Sequence, residues 1–193
     1  MFTASSRCRI RYIVLIALSC VAAIAMLPGL SSAGADTSPP SPPAHLALGL
    51  EPWSGESKPE FNLERLRGGR DQLSLYKHRI VLVHFFATWC ANCHDGIAAL
   101  QRLTEQVNDQ SIVVLAIDVA DLDLRARRYF EKNRVNFPVL LDRDRETAKA
   151  WDVYSLPATF ILDKSLTVKY WTETSPDWSQ PEIVKFLHDL ASR

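Results

Sequence analysis

Two cysteines separated by two residues are the strongest chemical signal in this 193-residue chain. Cys90 and Cys93 follow the apolar segment 80–86, which has the length and β-branched content of a buried strand. Apolar residues then recur at helical spacing from Ile97 to Val107, so a helix is predicted to begin at the cysteine pair. The unpaired N–H groups and the dipole of a helix N-terminus favour a thiolate. The sequence therefore predicts a reactive first thiol, with a second thiol close enough to resolve a mixed disulfide.

The first 35 residues have the pattern of an export segment. Three arginines precede the apolar run 12–27, and the small residues Ala33-Gly34-Ala35 follow it. The run is slightly shorter than the roughly 20 residues of a membrane-spanning helix, so residues 1–35 are interpreted as a signal peptide. Retention of the same segment as an N-terminal membrane anchor is the alternative. Either interpretation places the remaining chain outside the cytoplasm, and a periplasmic location is expected.

Charge and composition restrict the class of protein. The chain has 22 basic and 22 acidic residues, and three of the arginines lie in residues 1–35. The remainder then has 19 basic and 22 acidic residues and a net charge of −3, which excludes a strongly basic nucleic-acid binder. Residues 36–47 are rich in Pro and Ser and are predicted to form an extended linker. Residues 48–193 are long enough for one well-packed domain.

Strands and helices are predicted to alternate along this domain. After the first strand and helix, the apolar patterns predict strands at 112–117, 159–162 and 167–171, and a short strand or extended segment at 137–141. Helices are predicted at 122–135, at 145–151 and from a capping box at Ser179–Glu182. Alternating elements that end in a hairpin and a helix predict an α/β fold, with a mixed central sheet flanked by helices on both faces.

These motifs together resemble the thioredoxin superfamily, and specifically the exported TlpA/ResA-like thiol-disulfide oxidoreductases. The resemblance extends from about Phe61 to Leu190. It rests on five stretches of sequence, which are Phe61-Asn-Leu, Gln72-Leu-Ser-Leu, Val81 to Cys90, Phe137 to Asp142 and Ser155 to Asp163. The resemblance implies a thioredoxin-like fold for residues 48–193.

The cysteine motif and the resemblance together suggest a role for each residue around the pair. Cys90 is expected to be the exposed nucleophile and Cys93 the buried resolving thiol, and the two would form a redox-active disulfide. The resemblance makes Pro157 a cis-proline that faces the cysteines, and cis peptide bonds occur mainly before proline. Together with Leu156 it would leave backbone groups free to pair with a substrate. Trp89 is predicted to pack beside the thiols, to shield them and to contact the substrate.

His84 occupies the position of the superfamily's buried acid. Its unperturbed pKa would suit a proton shuttle to Cys93, but burial favours a neutral core histidine, and both interpretations stay open. Other positions also depart from the family pattern. Asn92 stands where Pro is frequent, and Gly96 and Ala98 stand where many relatives carry Glu and Pro. These departures leave the reaction class unchanged but prevent any transfer of a redox potential.

The resemblance implies an exported enzyme that exchanges the Cys90/Cys93 dithiol with disulfides of client proteins. By analogy it acts as a reductant, and a membrane-embedded thiol electron donor reduces it again. Cytochrome c maturation or copper-centre assembly would supply the clients. No cofactor, metal or nucleic acid is expected to take part.

Two other classes of protein are considered. Cys90-Ala-Asn-Cys-His94 matches the c-type haem attachment motif, but Met1 and Met26 both lie in the export segment, so the domain has no Met for an axial ligand. A copper carrier could use both thiolates and a nearby His, although copper-delivery relatives on this fold space their cysteines more widely. A structural zinc site needs four ligands, and the chain has no second Cys pair in the domain.

Overall fold

The computed structural model of the chain describes residues 43–107 and 110–193. The predicted export segment and most of the predicted linker lie outside these residues. The strands are β1 (Glu51–Pro52), β2 (Asn62–Arg65), β3 (Arg70–Gln72), β4 (Ile80–Phe86), β5 (Ile112–Val119), β6 (Val139–Asp142), β7 (Ala158–Leu162) and β8 (Val168–Thr172). The helices are α1 (Ala44–Ala47), α2 (Cys93–Gln106), α3 (Asp123–Lys132), α4 (Glu146–Ala150) and α5 (Pro181–Ala191), with a 3₁₀ helix at Leu73–Tyr76.

All the strands join one sheet in the order β1-β8-β7-β4-β5-β6-β2-β3. β5 pairs in parallel with both β4 and β6, whereas the other neighbours are antiparallel. Buried residues of α2, α3 and α5 form one core with one face of the sheet, and α4 and the 3₁₀ helix contribute to a second core on the other face. The predicted α/β fold with a mixed sheet and helices on both faces is confirmed.

The central strand β4 explains the apolar run that leads to the cysteines. Its side chains alternate between the two cores, with Leu82 and Phe86 on the α2 side and Val83 and Phe85 on the other. All seven residues of the strand are buried. Because both faces of the sheet are covered, the strand has a nearly continuous apolar sequence rather than an alternating one.

The pairing of β4 with its neighbours assembles one edge of the sheet. β7 runs antiparallel to β4 and places Ala158 opposite Phe85, so the start of β7 lies beside the end of β4. β5 runs parallel to β4 and places Asp118 opposite Phe86, so it ends at the same edge. The chain therefore brings the segments after Phe86, after Val119 and before Ala158 together.

Several predicted elements have boundaries that differ from those observed, and the helix predicted at 122–135 ends at Lys132. The strand predicted at 137–141 begins only at Val139, because Pro138 has no N–H group to donate to a neighbouring strand. The predicted capping box is wrong, since α5 begins at Pro181 with Gln180 as its N-cap residue and no side-chain cap. The Ser179 side chain is bonded to Asp177 and Arg102 instead.

The end of the predicted linker is helical rather than extended. Ala44–Ala47 form the short helix α1, and the ring of His45 packs against Tyr170 with the centroids 5.3 Å apart. The N–H of Leu50 also donates to the carbonyl oxygen of His45, so contacts with the domain overcome the extended preference of the linker. Within residues 43–107 and 110–193, no helix has the length and apolar character to cross a membrane.

The buried carboxylates of Asp71 and Asp118 differ in their hydrogen bonding. Asp71 accepts hydrogen bonds from the Tyr76 hydroxyl at 2.7 Å and from Nε of Arg65 at 2.8 Å. Asp118 is 1% exposed, and neither of its carboxylate oxygens has a partner in the part of the chain that the structure describes. Burial, followed by the nearby charge of Asp121, raises the pKa of Asp118 to about 8. Asp118 is therefore largely protonated at neutral pH.

We expect the variant Asp118→Asn to be more stable than the wild-type protein, by an amount that increases with pH. The pKa of Asp118 in the folded state exceeds the value of about 3.9 for an unfolded chain, so the folded state binds a proton that the unfolded state releases. The wild-type free energy of unfolding should therefore decrease as the pH rises from about 4 to about 8. Asn cannot ionise, so its advantage should grow by ~1 kcal/mol for each pH unit in this range, as linkage to a single proton requires.

Urea unfolding at three pH values between about 5 and 8 would measure this difference. Asp189→Asn is the matched control, because Asp189 is an exposed partner of Lys185. A stability difference that stays constant over the pH range would contradict a protonated Asp118 in the folded protein.

Candidate active site

The cysteine pair lies in a turn between β4 and α2. The N–H of Cys90 donates to the carbonyl oxygen of Ala87 at 3.1 Å, and the N–H of Cys93 donates to that of Cys90 at 3.1 Å. The helix begins at Cys93, so Cys90 lies in the turn just before it rather than in its first turn. The structure contains a disulfide between the two residues, with their Cα atoms 5.4 Å apart. Cys90 is half-buried and Cys93 is fully buried.

The loop before the cysteines is fixed by a contact with the segment after β5. The backbone N–H of Thr88 donates to a carboxylate oxygen of Asp121 at 3.0 Å, and the Thr88 hydroxyl donates to the same oxygen. The other carboxylate oxygen of Asp121 accepts from the N–H of Leu122 and lies 3.6 Å from Arg125. Asp121 thus links the loop after β4 to the segment after β5, beside the cysteine pair.

Pro157 and Leu156 lie opposite Cys90. The Leu156–Pro157 peptide bond is cis, the geometry that the resemblance implies. The carbonyl oxygen of Leu156 is 3.8 Å from Sγ of Cys90. Pro157 is buried, whereas Leu156 is only partly buried. The pairing of β4 with β7 accounts for this proximity, since it places two segments separated by 66 residues at one edge.

His84 is fully buried beneath the first turn of α2. Its Nδ1 shares a 2.8 Å hydrogen bond with the Thr159 hydroxyl, and its ring stacks on Phe86 with the centroids 6.1 Å apart. Nε2 has no partner among the described residues. Burial lowers the pKa of His84 to about 3, because a charged imidazole would lose its hydration. The ring is therefore neutral over the physiological pH range.

Gly96 allows the segment after β8 to approach α2. A Cβ atom at this position would lie 2.7 Å from Oγ of Ser175 and 3.5 Å from Cε1 of His84. The Ser175 hydroxyl donates to the carbonyl oxygen of Asn92 at 3.3 Å. A residue with a Cβ atom at this position would have to displace the Ser175 side chain. Sequence reasoning identified the departure at Gly96 but missed Ser175, because no local pattern reports a contact across 83 residues.

A groove of about 310 Å³ opens beside Cys90. Its wall is mostly apolar and aromatic, and the residues that define it besides Cys90 are Trp89, Val119, Arg145, Val153, Tyr154 and Leu156. Trp89 is 57% exposed and Tyr154 is 85% exposed. Trp89 thus lines the groove beside Cys90. Arg145, Val153 and Tyr154 were not singled out from the sequence, because they follow β6 in a segment without a recognisable motif.

The motif for haem attachment has a different arrangement here. Both sulfur atoms are joined in the disulfide, and Nε2 of His94 donates to the carbonyl oxygen of Thr88 at 3.0 Å. The His94 ring also packs against Tyr129, with the centroids 5.1 Å apart. The described residues include no group of three or more His, Cys, Asp or Glu side chains placed to hold a metal ion.

Curated proteins with similar sequences carry names that refer to thiol-disulfide chemistry. The thiol-disulfide oxidoreductase ResA of Geobacillus kaustophilus (strain HTA426) is 31% identical over 115 residues, which cover 60% of this chain and 66% of the relative. ResA of Bacillus subtilis (strain 168) is 32% identical over 109 residues, which cover 56% of this chain and 61% of the relative. The chain thus spans less than two thirds of the length of these relatives.

Solved structures share the fold at lower sequence identity. A DsbF homologue from Corynebacterium diphtheriae has a TM-score of 0.62 at 22% identity and covers 77% of this chain and 96% of its own. A putative thioredoxin from Neisseria meningitidis has a TM-score of 0.62 at 20% identity, with 72% and 92% covered. These similarities confirm a thioredoxin-like fold.

A family model connects the sequence with these structures. The model described as the AhpC/TSA family matches residues 54–171, which include β2 to β7, the cysteine pair and the cis-proline. The match covers more than half of the chain. The protein therefore belongs to the AhpC/TSA family, within the thioredoxin superfamily.

Proposed function

We propose that this domain is a thiol-disulfide oxidoreductase that reduces disulfides of client proteins. The observation that carries the proposal is the Cys90–Cys93 disulfide at the start of α2, with Cys90 opening onto an apolar groove. A structural disulfide gains nothing from such a groove, whereas a substrate disulfide must reach the sulfur that attacks it. The names of the ResA relatives support the same reaction.

The proposed reaction transfers two electrons and two protons to the client. In the reduced protein, the Cys90 thiolate attacks one sulfur of a client disulfide, and the client's second sulfur leaves as a thiolate that takes up a proton. The Cys93 thiolate then attacks Sγ of Cys90 and releases the client's first sulfur, which is also protonated. The client becomes a dithiol, and Cys90 and Cys93 regain the disulfide.

The N-terminus of α2 supports the first step electrostatically. The first N–H groups of a helix have no intrahelical acceptor, and the dipole is positive at this end. Cys90 precedes the helix by three residues and is partly exposed, so a negative charge on its sulfur faces these groups and water. Such surroundings lower the pKa of a Cys thiol below its free value of about 8.5.

Pro157, Leu156 and Trp89 are proposed to hold the client. The Leu156 carbonyl oxygen lies 3.8 Å from the Cys90 sulfur, where it can accept an N–H from the client's backbone. Pro157 has no N–H group of its own, so the client meets no competing donor there. Trp89 offers a broad exposed ring beside the same sulfur.

His84 is proposed to act as a neutral residue beneath α2. Its hydrogen bond to the Thr159 hydroxyl orients the ring. Nε2 has no partner among the described residues and is available to donate or accept a hydrogen bond below the first turn of α2. A charged shuttle is not required, because the neutral ring has both a donor and an acceptor.

We further propose that the protein works outside the cytoplasm as a reductant. The basic and apolar pattern of residues 1–35 supports export, either with cleavage or with retention as an anchor. A reductant in that compartment needs electrons from a membrane-embedded thiol donor. Apocytochrome c and copper-centre proteins are the proposed clients, because their cysteines must be reduced before haem or copper is bound.

Serine variants of the two cysteines should fail at different steps. We expect Cys90→Ser to abolish reduction of insulin disulfides, because a hydroxyl cannot form the mixed disulfide. Cys93→Ser should instead accumulate mixed disulfides with the client, because no second thiol resolves them. Thiol-specific gel shifts and mass spectrometry would distinguish these two results.

The full chain with Cys8→Ala and Cys20→Ala is the suitable background for this experiment, since Cys90 and Cys93 are then its only thiols. The parent with both active-site cysteines intact is the positive control. Full activity of Cys90→Ser would refute the mechanism, and so would the absence of trapped client with Cys93→Ser.

The ring of His84 should not titrate between about pH 5 and 8, because burial lowers its pKa to about 3. NMR of the ring protons over this range would test the prediction, and loss of the signals in His84→Asn would assign them. A titration midpoint within the range would show that His84 is a charged proton shuttle instead.

A further inference from the structure

Arg145 is the one charged residue among the side chains that line the groove beside Cys90. It is exposed, and its guanidinium forms no hydrogen bond or ion pair with any residue that the structure describes. Apart from Asn92, the surrounding side chains are mostly apolar or aromatic. The groove thus combines an apolar surface with a single unneutralised positive charge.

The acidic neighbours of Arg145 are engaged elsewhere. Asp144 accepts a hydrogen bond from the N–H of Glu146 at 3.2 Å. The Glu146 carboxylate accepts one from Lys149 at 2.7 Å. Asp142 is buried and accepts from the first turn of α4. None of these carboxylates neutralises Arg145, so its charge remains available to a ligand in the groove.

The backbone fixes Arg145 at the rim in an unusual conformation. Its φ is 65°, in the left-handed region that non-glycine residues rarely adopt, and Ala120, which also lines the groove, has a φ of 54°. The N–H groups of both residues donate to the carbonyl oxygen of Asp142, at 3.3 Å and 2.9 Å. Strained backbone that its surroundings hold in place is concentrated at functional sites. The position of Arg145 is therefore built into the groove.

We propose that Arg145 determines client specificity by binding a carboxylate of the client, so that preferred disulfides have an Asp or Glu close to the reacting cysteine. The planar guanidinium matches a carboxylate through two parallel hydrogen bonds. The apolar wall would accept a neighbouring apolar side chain of the client. This inference rests on the proposed oxidoreductase function and specifies its substrate class.

Short peptides that contain one cysteine in a mixed disulfide with 2-mercaptoethanol would test the proposal. Glu, Gln or Lys is placed in turn at each of the three residues on either side of the cysteine. At the best position, protein that has been reduced beforehand should react with the Glu peptide about twofold to fivefold faster than with the Gln peptide, measured as the second-order rate constant at low salt. The preference should weaken as the ionic strength rises.

Variants of Arg145 should change the relative rates for the Glu, Gln and Lys peptides. Arg145→Gln should remove the preference for the Glu peptide, Arg145→Glu should reverse it in favour of the Lys peptide, and Arg145→Lys should retain part of it. Lys77→Gln is the matched control, because Lys77 is exposed just before β4 starts, at the opposite end of the strand from the cysteines. This control should behave as the wild-type protein does.

Reduction of bis(2-hydroxyethyl) disulfide distinguishes a failure of the Arg145 proposal from a failure of the proposed oxidoreductase function. This substrate is small and has no charge for Arg145 to bind. For each variant, the peptide rates are divided by the rate with this neutral disulfide, so that any general effect of the substitution on Cys90 cancels. Equal rates for the Glu and Gln peptides, with this neutral disulfide still reduced, would overturn the role of Arg145 alone. Failure of the wild-type protein to reduce the neutral disulfide would overturn the proposed function itself.

Discussion

The backbone pairing of β4 with β5 on one side and β7 on the other is the constraint on which the site depends. β5 runs parallel to β4, and β7 runs antiparallel to it. The end of β4, the end of β5 and the start of β7 therefore meet at one edge of the sheet. The register cannot slip by one residue without moving the apolar side chains of β4 into the wrong core. The distance from Cys90 to Leu156 is thus set by sheet pairing and not by the loops that contain them.

Asp142 fixes the backbone of residues that line the groove beside Cys90. Its carbonyl oxygen accepts the N–H groups of Ala120 and Arg145, while its carboxylate accepts those of Thr147 and Ala148 at the start of α4. Hydrogen bonds to this one residue at the end of β6 therefore fix the backbone of two residues that line the groove and the start of α4. Ala148 is buried, so loss of its bond to Asp142 would leave a buried N–H group without a partner, which costs more than an exposed hydrogen bond contributes.

Local patterns were sufficient to predict β4, α2 and the cysteine pair, because apolar periodicity and turn residues act within a few positions. Contacts between distant segments could not be predicted in this way. The approach of Ser175 to Gly96 and the position of Arg145 depend on how separate elements pack, and the chain has no motif for either. The capping box failed for a related reason: Ser179 bonds with Arg102 of α2, a long-range contact that competes with the local cap.

Burial accounts for the proposed division of labour between the two cysteines. The α2 side of the sheet contains buried polar atoms without partners among the described residues, on His84, Asp118 and Trp178. The pKa of His84 is lowered and that of Asp118 raised, and both changes favour the neutral form. A region that keeps a base and an acid uncharged also opposes a thiolate on the buried Cys93. Cys90 is partly exposed beside a helix N-terminus, where negative charge is tolerated. These surroundings support the proposal that Cys90 attacks the client and that Cys93 reacts once the mixed disulfide has formed next to it.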